Sequence, residues 1–469
     1  MIDEIDRTRR RLRSGNLPEA LLAPATGTVA GLERTALRER TAAVAGGLAG
    51  LGVRPGDRVG LYAANSAAWI LAYLGTLRAG AVLVPFNPAY REAEVEHILI
   101  DSDPVLVIAD RERLAAVAGR PAIPLEELPQ DEPPPPPPLE PDSPALIIYT
   151  SGTTGRPKGA LLDHGNLLAQ ARGVIEAWRW TDADRLLHAL PLFHVHGLAI
   201  GLNGSLLAGA DLTLIAFEPE RVVAELSAGA TMFFGVPAMY QRLCEHLEQH
   251  PAELSPVRLF VSGSAPLPPE LFRRCERLLG QPPLERYGIT EGGIVVSNPY
   301  DGPRRPGRVG HPLPGVEVRL GAGDEIQLKG GQVFGGYWRN PTATEEAFVD
   351  GWFRTGDVGE LAEDGSLAIR GRTKELIISG GFNVYPREVE MVLESHPGVS
   401  EVAVVGLPSE RWGEEVIAFV VAAQDPPRAG ELIAYAQERL AKFKCPREVR
   451  FVPDLPRNAM GKVQRSLLR

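Results

Sequence analysis

The chain has 469 residues, 44% of them hydrophobic and 23% charged, with a formal net charge of −10. At roughly 150 residues per domain this allows about three compact units and more than one core, which excludes a small disulfide scaffold and wholesale disorder. The acidic balance argues against a general polyanion-binding surface and leaves room for a local basic pocket that takes phosphates. Cys244, Cys275 and Cys445 are scattered and form no Cys-x-x-Cys pair, so neither a disulfide framework nor a zinc site is expected, and a reducing cytoplasm fits best. The N-terminus, MIDEIDRTRRRLRSGNL, lacks the apolar core of a signal peptide. The most apolar long stretch, Gly197 to Phe217, is interrupted by Asn203, Ser205 and Asp211, so neither an export signal nor a membrane span is expected.

From Thr35 to Asp110, helical apolar spacing (TALRERTAAVAGGLAGL, SAAWILAYLGTLRAG) alternates with short β-like runs (DRVGLYA, AVLVPF, PVLVIAD), the pattern of a mainly parallel sheet covered by helices. Residues 131–142 read DEPPPPPPLEPD, an exposed polyproline connector that cannot enter a sheet; a ligand for a proline-reading domain is the alternative. The run ALIIYT, 145–150, ends in the turn-rich SGTTGRPKG, after which helical spacing begins at about Gly165, so a phosphate loop between strand and helix is predicted. Alternation continues to about Tyr300. Short strands and Gly turns then predict a small β-rich subdomain at about 306–370. After Arg372 a compact α+β unit begins, with EVEMVLESH and AGELIAYAQERL as helices and VSEVAVVGLP and EEVIAFVVAA as strands. The expected fold class is therefore α/β. A large N-terminal part, residues 1–372, holds mixed and parallel sheets with flanking helices, and a small α+β domain spans 373–469.

The segment YTSGTTGRPKG, 149–159, concentrates phosphate-binding groups. Gly152, Gly155 and Gly159 free the backbone to present N–H groups, Thr150, Ser151, Thr153 and Thr154 offer hydroxyls, and Lys158 adds a positive charge. No Gly-Lys-Ser/Thr occurs, so this is not the Walker pattern, and an ordinary polar turn is the competing reading. Six further segments follow: LPLFHVHGL (190–198), FVSGSAPLP (260–268), ERYGITE (285–291), GWFRTGD (351–357), GRTKELIISGGFNVYPREVE (371–390) and PRNAMGK (456–462). In these motifs, and in their order, the chain resembles the adenylate-forming superfamily of acyl-CoA synthetases, luciferases and peptide-synthetase adenylation domains.

The resemblance implies chemistry that makes physical sense. A carboxylate resists a thiol because oxide would have to leave; ATP converts it to an acyl-AMP, whose leaving group is a stable phosphate ester, and the protein must stabilise negative charge at the α-phosphate. By resemblance, Lys462 serves the carboxylate and the α-phosphate, Thr290 the α-phosphate, and Glu291 with Thr150 a magnesium ion. Tyr287, Gly288 and the backbone of Gly263, Ser264 and Ala265 line the adenine, and Glu285 is counted with these nucleotide residues. Asp357 accepts both ribose hydroxyls, with Arg372 beside it. Lys374 is the hinge of a mobile C-terminal domain, which brings in Lys462 for adenylation and then the Ser379, Gly380 and Gly381 loop for transfer to coenzyme A. His194 sits where acyl group and CoA meet, although His194 and His196 also read as satisfied core histidines.

Within the superfamily, the motifs and GATMFFGVPAMYQRL (229–243) most resemble malonyl-CoA synthetases. Arg286 offers a cation for a second carboxylate in a dry acyl pocket, with Arg242 as a possible helper, and pairing of Arg286 with Glu285 is the structural alternative. Gly292 and Gly293 depart from the bulkier residues of malonyl enzymes. The expected reaction is ATP-dependent ligation of malonate or a short dicarboxylate to CoA, with ATP, Mg2+ and CoA as cofactors or co-substrates and no nucleic-acid partner. Alternatives are a medium- or long-chain fatty acyl-CoA synthetase, a stand-alone amino-acid adenylation enzyme, or an inactive scaffold interacting through its proline run.

Overall fold

The computed structural model describes residues 2–150, 157–379, 382–409, 411–423, 425–457 and 462–468. Two large sheets carry the N-terminal part. One runs in the spatial order His311–Pro312, Gly293–Ser297, Leu284–Ile289, Leu259–Ser262, Met232–Gly235, Arg185–His188, Asp211–Leu214, Thr28–Val29, Leu32–Glu33, parallel from Leu284–Ile289 across to Thr28–Val29. The other orders Gly336–Tyr337, Lys158–Asp163, Pro144–Thr150, Val82–Pro85, Arg58–Tyr62, Leu106–Ala109 and Ala122–Pro124. Their central strands, such as Val-Leu-Val-Pro and Met-Phe-Phe-Gly, are buried at every position, because a parallel strand with helices on both faces has no solvent side. The helix His164–Trp178 contacts both sheets through Lys158–Asp163 and Gly293–Ser297, and is buried over most of its circumference.

An antiparallel five-stranded sheet spans Val316–Arg372, and a mixed five-stranded sheet, Ile377–Phe451, with Glu448–Phe451 parallel to Gly413–Ala422, packs the helices Pro386–Glu394 and Ala429–Gln437. The β-rich segment is less self-contained than its composition implies. His311–Pro312 joins the first large sheet and Gly336–Tyr337 the second, so the segment ties the body together. No helix among the described residues is long and apolar enough to cross a membrane.

One local expectation is corrected. The turn-rich segment does not run from strand into helix. Lys158–Asp163 is a strand antiparallel to Pro144–Thr150, with Thr150 opposite Lys158, so the loop closes a hairpin. The helix starts only afterwards, capped by Asp163 Oδ1, which accepts the Asn166 N–H at 2.6 Å. A six-residue strand shares its apolar run with the following helix, and periodicity over so few residues cannot separate them. Ser151, Gly152, Thr153, Thr154 and Gly155 lie outside the described residues.

The proline run is a strap on the body. Asp131 N–H donates to Ala43 O at 2.9 Å, and a Cβ on Gly47 would stand 2.5 Å from Pro129 C. The connector reading holds for this reason: the chain is bedded on a glycine-lined face of the helix Arg34–Gly50.

Candidate active site

Side chains alternate along the strand Leu284–Ile289, so Tyr287 and Arg286 leave it on opposite faces and build two halves of one site. On Tyr287's side, its hydroxyl donates to Asp357 Oδ2 at 2.6 Å, and Arg372 Nε pairs with Asp357 Oδ1 at 2.9 Å. Asp357 and Arg372 face each other across an antiparallel pair. The aspartate is further fixed by its own N–H donating to Thr355 Oγ1 at 3.0 Å, while the Thr355 hydroxyl donates to Ile326 O at 2.7 Å. Burial and then Asp357's charge push the Tyr287 phenol well above its ordinary range, so it remains a donor. Each carboxylate oxygen keeps a lone pair beyond these contacts, which suits the ribose role expected of Asp357.

Lys462 comes to this pair from the far end of the chain. Burial, then the charge of Arg372, lower its ammonium pKa, while Glu375 and Asp357 oppose the shift. Its segment is anchored three residues on, where Arg465 Nη2 pairs with Glu390 at 2.8 Å and Nη1 with Glu375 at 3.1 Å.

Next to Tyr287 the strand bulges at Gly288 and turns back. A Cβ on Gly288 would lie 2.2 Å from Gly293 O. Gly293 has φ +63° and its Cβ would meet Gln170 Cδ at 2.3 Å, so the departure from bulkier residues at 293 follows from the packing of this turn. The turn presents Thr290, half-buried, and Glu291, whose Oε1 accepts the Tyr337 hydroxyl at 3.0 Å; Lys158 Nζ stands 5.3 Å from the Tyr337 ring. Burial raises the Glu291 carboxyl pKa. It makes no ion pair among the described residues, and the Thr150 hydroxyl makes only a 3.4 Å contact to Lys158 O, so this carboxylate and hydroxyl fit the hard oxygen set of a magnesium ion.

On the opposite face Arg286 is 6% exposed, and its Nε and Nη2 have no hydrogen-bond partner. The alternative pairing with Glu285 does not occur. Glu285 points away, accepts the Leu267 N–H at 2.9 Å, and looks toward Arg387 and Glu394 of the C-terminal part; burial pushes its carboxyl up to about 7. A Cβ on Gly263 would stand 2.3 Å from Arg286 Cζ, so the guanidinium lies directly against that backbone. Ser264 follows with φ +68°, a strained value for a residue with a side chain, and Ala265 is half-buried beside it.

His194 and His196 face the same cation. Burial and Arg286's charge lower His194 to about 4 and His196 well below its ordinary value, so both rings are neutral. The reading of His196 as a satisfied core histidine fails, since its Nε2 has no partner. Arg242 is also corrected as a helper. It lies exposed on the helix Pro237–Gln249 with its guanidinium 5.0 Å from the Phe217 ring, whereas a dry pocket needs a buried cation.

Lys374 lies in the turn Thr373–Glu375, Ser379 is buried in the C-terminal sheet opposite Gly413, and Gly380 and Gly381 are outside the described residues. Sequence reasoning missed Tyr337 as the partner of Glu291 and the Arg387–Glu394 pair facing Glu285, because no spacing rule connects segments so far apart. It also missed that Cys244 and Cys275 come together, Sγ to Sγ 3.6 Å.

The model for AMP-binding enzymes matches residues 32–338, and that for the AMP-binding enzyme C-terminal domain matches 388–462. The chain is 36% identical to a malonate–CoA ligase of Arabidopsis thaliana, over 90% of this chain and 79% of that protein. It is 38% identical to a feruloyl-CoA synthase of an Amycolatopsis species, over 92% of both. Its structure is similar to ATP-bound MatB from Rhodopseudomonas palustris, with a TM-score of 0.89 at 37% identity over 97% of this chain and 98% of that one. Matched in both parts by these models, and aligned with relatives over nine tenths of its length, the chain belongs to the AMP-binding enzyme family.

Proposed function

We propose that this AMP-forming acid–thiol ligase uses ATP to join malonate, or a closely related short dicarboxylate, to coenzyme A. The observation that carries the choice of acid is Arg286: a guanidinium buried on the acid side of the nucleotide strand with two nitrogens unpartnered. Burying a charge without a partner is costly, and an anionic end on the substrate supplies the missing partner. In the first half-reaction the near carboxylate attacks the α-phosphorus and diphosphate leaves. Lys462 and Thr290 are assigned to the charge that develops there, Asp357 and Arg372 to the ribose, Tyr287 and Gly288 to the adenine, and Lys158 to the phosphates. Glu291 and Thr150 would hold Mg2+, which supplies positive charge to the phosphate oxygens. In the second, the CoA thiol attacks the acyl carbonyl and AMP leaves, after rotation of residues 373–469 about Lys374 carries Lys462 away.

The domain assignment draws support from the similarity scores. The chain superposes on the ATP-bound relative with a TM-score of 0.89 and on a malonyl-CoA ligase bearing methylmalonyl-CoA and AMP with 0.68, at 37% and 38% identity. That contrast fits the adenylating orientation, with Lys462 beside Arg372. A reducing compartment is the proposed setting for its three buried thiols; a mouse relative is named as mitochondrial, so the cytoplasm is one of two such settings.

The test is a panel of acetate, butyrate, malonate, octanoate and ferulate assayed for CoA thioester formation. Malonate is expected to lead. Arg286→Met should lower kcat/KM for malonate at least a hundredfold, since removing one partner of a buried charge pair costs about 3 to 5 kcal/mol. ATP affinity is measured in parallel, because Arg286 adjoins the adenine turn. Preference for octanoate or ferulate in the wild type would overturn the dicarboxylate reading.

A further inference from the structure

A carboxylate offers two oxygens, and a pocket that reads it well offers donors to both. Around Arg286 a second polar atom is buried without a partner, His196 Nε2. His196 is 4% exposed and belongs to the π-helical turn His196–Leu202, a form of helix that recurs at functional sites. The turn is held close by Gly197, where a Cβ would lie 2.1 Å from Pro191 O. The imidazole stacks on Phe234 with centroids 6.5 Å apart and planes inclined by 15°, and Ser264 Oγ stands 3.4 Å from Nδ1. The ring is therefore placed by its face and by Nδ1, while its second nitrogen, Nε2, has no partner.

Its protonation follows from its surroundings. A ring sealed from water beside a guanidinium stays neutral and carries a single N–H. The 3.4 Å contact between Ser264 Oγ and Nδ1 allows the hydroxyl to donate there, the arrangement that puts the ring hydrogen on Nε2. Arg286 and His196 lie close enough for the cation to act on the ring, yet they make no hydrogen bond to each other.

We propose that His196 is a specificity-determining residue, its Nε2–H donating to one oxygen of the substrate's far carboxylate while Arg286 takes the other. The proposal rests on the dicarboxylate reading and deepens it. Discrimination then comes from both directions: malonate satisfies two buried donors, and a monocarboxylic acid of similar length leaves both facing a methyl group, the kind of mismatch that a polar site rejects most strongly. Ser264 becomes a positioning residue, holding the ring in the tautomer that donates.

The experiment compares the intact wild type with His196→Phe, which keeps an aromatic ring against Phe234 and removes the donor, and with His196→Gln, which restores an N–H. The readout is the ratio of kcat/KM for malonate to that for butyrate, with the ATP KM and the thermal midpoint measured alongside. His196→Phe should lower the ratio at least thirtyfold, and His196→Gln should recover at least fivefold of that loss. An unchanged ratio in His196→Phe overturns the proposal, as does a Gln variant no better than the Phe variant. If Arg286→Met collapses the ratio while His196→Phe retains it, only this inference falls and the dicarboxylate reading stands. If the wild type itself favours butyrate, both fall together.

Discussion

Glu285 and Arg286 leave one strand in opposite directions, and each is buried without the other's charge. The glutamate's position carries a consequence for stability. Burial lifts its carboxyl from 4.5 to about 7, with the Leu267 N–H and Arg387 pulling the other way and Glu394 adding to the rise. Between those two values the folded chain holds a proton that the unfolded chain has released, so this group's contribution to stability is lost as pH rises from about 4.5 to 7. The full penalty above that window is on the order of 3 kcal/mol. Glu285→Gln keeps an acceptor for the Leu267 N–H and removes the ionisable group. Its thermal midpoint should exceed that of the wild type at pH 8 and converge with it near pH 5. A difference that does not change with pH would show that Glu285 is not the buried acid described here.

At the scale of elements, the ends of the segment 149–159 and the proline strap show how tertiary packing places a biased segment. Thr150 and Lys158, at the facing ends of two antiparallel strands, flank the loop, and Lys158 comes to Tyr337 because Gly336–Tyr337 pairs with the strand Lys158–Asp163. The strap lies across Gly46 and Gly47, where a Cβ would stand 2.4 Å from Asp131 O and 2.5 Å from Pro129 C. Gly47→Val should force the strap off the helix Arg34–Gly50, costing about 1 to 3 kcal/mol as overpacking does. The checks are a lower thermal midpoint and faster proteolytic cleavage within residues 129–142. Wild-type resistance to protease in that variant would mean that the strap is held elsewhere.

For the whole molecule, the decisive arrangement is Lys462 within electrostatic reach of Asp357 and Arg372, which the chain connects through the turn Thr373–Glu375. Arg465 couples this arrangement to the hinge segment, since the same guanidinium holds Glu375 and Glu390. Under the proposed rotation about Lys374, Lys462 should matter for one half-reaction only. Lys462→Ala should lose acid-dependent diphosphate release by several orders of magnitude and still convert supplied acyl-AMP and CoA to thioester. Equal loss of both half-reactions would make Lys462 a structural residue and remove the support for alternating orientations.

The sequence by itself determined the α/β class, the order of the catalytic motifs and the identity of most candidate residues. These properties are local: a strand buried on both faces must be written as a continuous apolar run, and a motif such as ERYGITE keeps its residues together whatever the rest of the chain does. Only the tertiary structure decided which groups meet. Tyr287 with Asp357 and Glu291 with Tyr337 are contacts between segments far apart in sequence, and the charge of Arg387 reaches Glu285 across a similar gap, so no spacing rule spans them. It also decided which groups do not meet. Arg242 proved exposed, while Arg286 and His196 kept open polar atoms inside the protein. An unpartnered donor is a property of everything packed around it, so it becomes visible only when the whole fold has closed over the site.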